Sequence, residues 1–223
     1  MSNPAPGALE TVRSFVNTLD IDDGIDSLAG PAELAAWLAE QDLAGEGAQE
    51  LRATAADLRR AIELREALRA HLLAHHDQPL PDGAAQTLDA AARRARLIVR
   101  FTGSDTTTLE PEAGGVDGAL GRLLAIVARA IEDGTWPRLK LCPADTCQWA
   151  FYDASRNRSA VWCDMRVCGN RAKVRGFRER TRAGDGGEAA ARTGTGETRS
   201  GSPRAETSAR VRAPSAARCR SSP

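Results

Sequence analysis

The chain has 223 residues, 42% of them hydrophobic but only 4% aromatic, with 30 basic and 30 acidic side chains and five cysteines. That length admits one or two domains with a core of useful size. No run of about 18 apolar residues occurs, which excludes a helical membrane span, and the stretch MSNPAPGALETVRSF lacks the basic and apolar regions of a secretory signal.

The formal net charge of zero conceals a polar distribution. Residues 1–135 carry 22 acidic and 12 basic side chains, residues 136–180 carry 4 and 10, and residues 181–223 carry 4 and 8. Such asymmetry suits an anionic partner for the basic half, or an attraction between the two halves.

Residues 1–8 are rich in Pro, Gly and Ala and are expected to fray. Leu9, Val12, Phe15, Val16 and Leu19 have helical spacing and predict a first helix. Residues 21–26 form an acidic turn; the spacing and closing Glu of a calcium loop are missing. Gly30-Pro31 opens a second helix with Leu34, Trp37 and Leu38 on one face, and Gly45-Glu46-Gly47 ends it. Residues 48–76 give the longest helical pattern, a stripe through Leu51, Ala55, Leu58, Ile62, Leu68 and Leu72 that only Arg65 interrupts. Arg65 has three readings: a core pair with an acid such as Asp20, the wall of a pocket for a small anionic ligand, or a side chain snorkelling at the stripe's edge. His71, His75 and His76 end the helix. They lack the HExxH arrangement and a third ligand, so they read as polar helix-end residues, not as a metal site.

A loop at 78–83 precedes a short helix over 84–96. The β-branched run 97–102, a turn, and a return strand over 106–110 predict a β-hairpin. Asp117 opens a last helix through Leu120, Leu123, Leu124, Val127 and Ile131, stopped at Gly134. Residues 9–133 therefore read as a mainly helical domain with one small hairpin.

Cys142, Cys147, Cys163 and Cys168 follow as two pairs with identical spacing, separated by fifteen residues. Four thiolates so grouped suit a tetrahedral zinc site, and a filled ligand set makes that zinc structural, not catalytic. Cysteines used this way point to a reducing, cytoplasmic setting. Trp136, Trp149, Phe151, Tyr152 and Trp162 concentrate the chain's aromatics here, as a small module with little core requires. Extended segments over 136–141 and 149–153 predict a hairpin carrying the first pair. A helix beginning near Ser159 and including Val161, Trp162 and Met165 is expected to carry the second pair, with Gly169 giving a tight turn behind it. The module spans 136–180. Residues 181–223 are too poor in large apolar side chains to order themselves and read as a disordered tail in which Cys219 is incidental.

The string Cys-Pro…Cys, Trp-Ala-Phe-Tyr-Asp-Ala-Ser-Arg-Asn, Trp162-Cys163-Asp164-Met165 and Cys168-Gly169-Asn170-Arg171-Ala172-Lys173 closely resembles the CGNR zinc finger. Phe15-Val16-Asn17-Thr18-Leu19-Asp20 and Leu64-Arg65-Glu66-Ala67-Leu68-Arg69 resemble the ABATE domain usually fused to it. The resemblance implies a stress-induced transcriptional regulator. Its fold is expected to be α+β and mainly helical, with a small treble-clef or ribbon-like finger of two short strands and a helix. Arg166, Arg171, Lys173, Arg175, Arg178 and Arg180 make the densest basic stretch; Arg166, Asn170, Arg171, Lys173, Arg175 and Arg178 are the expected DNA contacts, with an N-terminal domain that senses a ligand or forms a homodimer. The alternative is a protein-interaction module without DNA binding. No nucleophile–base pair, phosphate loop or acid–base dyad supports an enzyme.

Overall fold

A computed structural model describes the backbone of residues 4–45 and 51–188 and side chains as far as residue 181; the tail from residue 189 onward lies outside the described residues. The fold is mainly helical α+β, with six helices and three two-stranded antiparallel sheets among the described residues.

Helix α1 (Leu9–Val16) buries Leu9, Val12, Phe15 and Val16. It stops before Leu19 because the Thr18 hydroxyl donates to the Phe15 carbonyl at 2.8 Å and the chain turns into a strand. The acidic turn is a miniature hairpin, β1 (Leu19–Asp20) with β2 (Ile25–Asp26). Asp20 Oδ1 accepts the Asp23 amide, and Gly24 adopts φ +67 at the turn. Helix α2 (Pro31–Glu40) has its proline in the first turn, as expected, and buries Leu34 and Leu38.

Helix α3 (Ala55–Ala74) begins later than the apolar stripe suggests. Thr54 and Asp57 form a reciprocal capping box that fixes the start: Thr54 Oγ1 accepts the Asp57 amide and Asp57 Oδ2 accepts the Thr54 amide. Its buried face holds Ala61, Leu64, Leu68 and Leu72, and also Arg65 and Arg69. Helix α4 (Asp82–Ala95) leads through a left-handed Arg96 into the predicted hairpin, β3 (Leu97–Phe101) with β4 (Thr107–Pro111), Val99 opposite Leu109. Helix α5 (Gly115–Glu132) packs against it. Gly121 lets the hairpin approach, since a Cβ there would lie 2.6 Å from Ala95 Cβ and 3.0 Å from Pro111 Cβ.

One apolar core gathers Phe15, Leu34, Leu64, Leu68, Leu72 and Leu123, and it continues across residue 133 to take in Trp136, Leu139, Leu141 and Ala150. The expected strand over 136–141 is a 3-10 turn (Trp136–Arg138) followed by β5 (Leu139–Leu141), paired with β6 (Ala150–Tyr152). This ribbon lies on the N-terminal body. The helix expected near Ser159 is absent: residues 159–164 are irregular, and a π-type turn (Met165–Gly169) leads into α6 (Asn170–Glu188), which continues past residue 180. A buried ion pair accounts for the difference. Lys140 Nζ donates to Asp153 Oδ2 at 2.9 Å and to the carbonyls of Arg158 and Ala160, while Asp153 also accepts the Ser155 and Ala160 amides. Residues 153–160 are thereby fixed against β5 in a non-helical path. Burial pushes the Asp153 carboxyl upward, but Ser155 and Lys140 hold it below the usual carboxylate range.

Candidate metal centre and basic helix

The first cysteine loop leaves β5 at Cys142, whose amide donates to Trp149 O at 2.9 Å. The Cys147 and Gln148 amides both turn back onto Ala144 O, and Gln148 sits at φ +48 in the left-handed region. The second loop is organised by Asp164. Its carboxylate accepts the Arg166 amide at 2.7 Å, and its carbonyl accepts the amides of Cys168 and Gly169. Gly169 is required for space: a Cβ there would lie 2.4 Å from Met165 Sδ and 3.2 Å from Trp162 Cδ1.

The two loops bring the four sulfurs within 4.8 Å of one another, all four cysteines buried. Cys147 and Cys163 sulfurs lie 3.5 Å apart, and those of Cys163 and Cys168 3.7 Å. A tetrahedron with zinc–sulfur bonds of about 2.3 Å has edges of about 3.8 Å, whereas a disulfide needs about 2.05 Å. The donor set therefore fits one structural zinc ion, which supplies folding energy and, with all four positions held by protein, no open site for substrate. Cys147 and burial push the Cys142 thiol upward, but hydrogen bonds from Cys163 and Cys168 outweigh them and hold it below the ordinary thiol range. Around the sulfurs, Phe151 is buried, and Trp149 and Trp162 are half-buried against the cluster.

The N-terminal body grips this centre through residues that the sequence alone leaves unassigned. Asn17 bonds to both backbone groups of Ala150, donating to its carbonyl at 2.9 Å and accepting its amide at 2.7 Å. His75 Nδ1 lies 2.7 Å from Leu139 O, and His76 Nε2 lies 2.7 Å from Leu141 O. His75 and His76, polar residues at the end of α3 as the sequence predicts, thus also clamp β5. His71 and His75 both pack edge-on against Trp136. Burial pushes both of these imidazoles below the ordinary histidine range.

Arg65 is buried, so it does not snorkel at the stripe's edge, and it pairs with an acid as one reading expects, that acid being Asp26. Its two terminal nitrogens reach Asp26 at 2.7 and 2.8 Å, one also reaches Thr18 Oγ1, and Nε reaches Glu66. Four of its five N–H groups are thus engaged with protein groups. A cavity of about 910 Å³ lies elsewhere, between the start of α1, the β3–β4 hairpin and the end of α5, with Leu9, Val99, Thr106, Thr108, Leu109 and Ile126 in its walls.

The predicted basic residues gather on the π-type turn and α6, all of them exposed. Asn170 Nδ2 donates to Arg166 O at 2.9 Å and braces the turn. Arg171 pairs with Asp22 of the N-terminal body at 3.2 Å, Arg175 with Asp145 of the first cysteine loop at 3.8 Å, and Arg166 lies 3.8 Å from Asp164. Lys173 and Arg178 have no ion-pair partner among the described residues. Helix α6 packs chiefly on the turn it grows from. Among the described residues, no helix is long and apolar enough to cross a membrane.

A family model of the CGNR zinc finger matches residues 138–181. The ABATE family model, described as "Putative stress-induced transcription regulator", matches residues 10–133, more than half of the chain. No curated protein matches it.

Proposed function

Because the chain belongs to the ABATE family and carries a CGNR zinc finger, we propose that it is a cytoplasmic, non-enzymatic transcription regulator that binds DNA through α6. The observation that carries this reading is a helix rich in Arg and Lys that leaves the metal centre almost free of packing. Phosphate contacts need cations that are accessible and fixed in direction, and zinc-held turns supply both. Lys173 and Arg178 are the first contacts; Arg171 and Arg175 join them when phosphate displaces Asp22 and Asp145. Base readout is left to a dimer or a second protein, since one finger offers a small footprint. Genome-wide recovery of DNA bound to the chain, with a variant lacking Cys163 and Cys168 as control, tests the reading. Discrete enriched loci lost in the control support it, and identical recovery from both refutes it.

We place ligand sensing in the cavity beside the β3–β4 hairpin. Its walls suit a mostly apolar molecule with one group for the threonine hydroxyls, in contrast to the anion expected at Arg65. A thermal-shift screen in which apolar compounds raise the melting temperature, and Val99→Asp abolishes the rise, supports this assignment.

A second reading is favoured by Val174 and Phe177, which are 50% and 65% exposed on α6. They lie three residues apart and would serve a helix that docks on protein. Capture of a protein partner that Phe177→Ala abolishes, with no DNA binding at low salt, would establish it in place of the first.

A further inference from the structure

Four thiolates on one zinc ion leave a formal charge of about −2, and buried charge is costly unless it is balanced. The finger's own cations do not provide the balance inside the protein. Those of α6 as far as residue 181 are exposed, and Lys140 is committed to Asp153 and two carbonyls. The buried cation next to the first cysteine loop comes from α3. The Arg69 side chain is 3% exposed. Its Nη2 donates to Gln148 Oε1 at 3.0 Å, Nη1 to Val16 O at 3.3 Å, and Nε lies 3.2 Å from Glu66 Oε2.

Gln148 immediately follows the ligand Cys147 and adopts φ +48, a backbone conformation that side chains other than Asn and Asp seldom take. A residue in that state needs its surroundings to hold it there. The Arg69 bond does so from the opposite side of the domain boundary. Burial disfavours the charged form of Arg69, and the negative charges of Glu66 and Cys147 offset part of that. Glu66 is 48% exposed and also bonds Arg65, so water and that sharing leave Arg69 with positive charge to spare for the thiolates.

We propose that Arg69 is a positioning residue of the zinc centre: the N-terminal domain supplies the buried cation that fixes the Cys147–Gln148 turn and balances the thiolate charge. Metal affinity then depends on α3 holding the Arg69 guanidinium against Gln148, not on how tightly the rest of the core is packed. Groups that support metal ligands from outside typically contribute about 10–100-fold to affinity.

The test is a zinc competition titration against a chromophoric chelator on the full chain. Arg69→Lys keeps the charge, and Arg69→Gln keeps polarity without it. The expected result is zinc affinity at least about tenfold lower for Arg69→Gln, and within about threefold of wild type for Arg69→Lys. Leu64→Ala, which weakens the same core without touching Arg69, is expected to leave affinity within about twofold. Equal affinities for the Gln and Lys variants, or a loss in Leu64→Ala matching that in Arg69→Gln, would overturn the proposal. Should Arg69→Gln not fold, Gln148→Ala decides: alanine keeps the cost of the positive φ, so only the tether is removed. Zinc held at least about threefold more weakly supports the proposal, and unchanged affinity overturns it.

Discussion

Removing zinc is expected to divide the C-terminal segment rather than unfold it as a unit. The sequence suggests that residues 136–175 depend on metal as one piece. The packing indicates otherwise. Leu139, Leu141 and Ala150 are at most 2% exposed, and Trp136 is 3% exposed, in the core shared with α1, α3 and α5. Burying one leucine side chain is worth about 2 kcal/mol, and each cross-boundary hydrogen bond from Asn17, His75 and His76 adds about 1 kcal/mol. Together these terms are on the order of 8 kcal/mol and do not involve the metal. The cysteine loops, by contrast, enclose little besides the sulfurs, Ala144 and Phe151. Hydrogen exchange read by mass spectrometry before and after chelation is the assay. Amides of residues 142–148 and 163–180 are expected to lose protection by about a hundredfold or more, while the Ala150 amide, bonded to Asn17, changes by less than about tenfold. Ala150 exchanging as fast as Cys147 after chelation would refute the division.

Four further outcomes follow from particular contacts. Leu139→Ala should cost about 2–5 kcal/mol in denaturant unfolding and lower the stability of the N-terminal helices with it, because the core is common. Lys140→Met leaves Asp153 buried without its cation and should cost about 3–5 kcal/mol, whereas exchanging both residues for apolar ones should cost much less. Asp22→Asn should tighten DNA binding by up to about fivefold, since an exposed ion pair is worth about 0–1 kcal/mol; weaker binding would mean that Asp22 positions α6 instead. His71 is depressed in the fold, so more protons bind the unfolded chain: its contribution is complete above its unfolded pKa, about 6.5, and is lost as pH falls below that. His71→Phe should keep the ring packing on Trp136 and reduce the stability lost between pH 7 and pH 5.5, as measured by urea unfolding of the zinc-loaded protein.

The helical body and the metal ligands were legible because periodicity and cysteine spacing are local signals. Leu9, Val12, Phe15 and Val16 lie on the face their spacing predicts, and the hairpin at 97–111 forms where β-branched residues flank a turn. Helix ends were less legible. The late start of α3 depends on two side chains, Thr54 and Asp57, that compete with a longer apolar stripe. The missing helix near Ser159 reflects a contact thirteen residues apart in sequence, Lys140 with Asp153, which no periodicity reports. The grip of the body on the finger is longer in range still. Asn17 and Ala150 are separated by 133 positions. Its signal was present as an excess of polar groups on α3 and just past its end, where Arg65, Arg69 and His71 share the helix with the core leucines and His75 and His76 follow it. Spacing alone cannot tell which of these face an acid, a carbonyl or a metal loop.

In the proposed function, zinc directs α6 onto the phosphates of DNA. Fluorescence anisotropy of a labelled duplex, titrated with zinc-loaded protein across a salt series, tests it most directly. The logarithm of the affinity is expected to fall linearly with the logarithm of salt, with a slope shallower by about 2 in the Lys173→Ala, Arg178→Ala double variant, and no binding is expected after zinc removal. Binding that keeps its strength and slope in that variant, or that survives chelation, would contradict it.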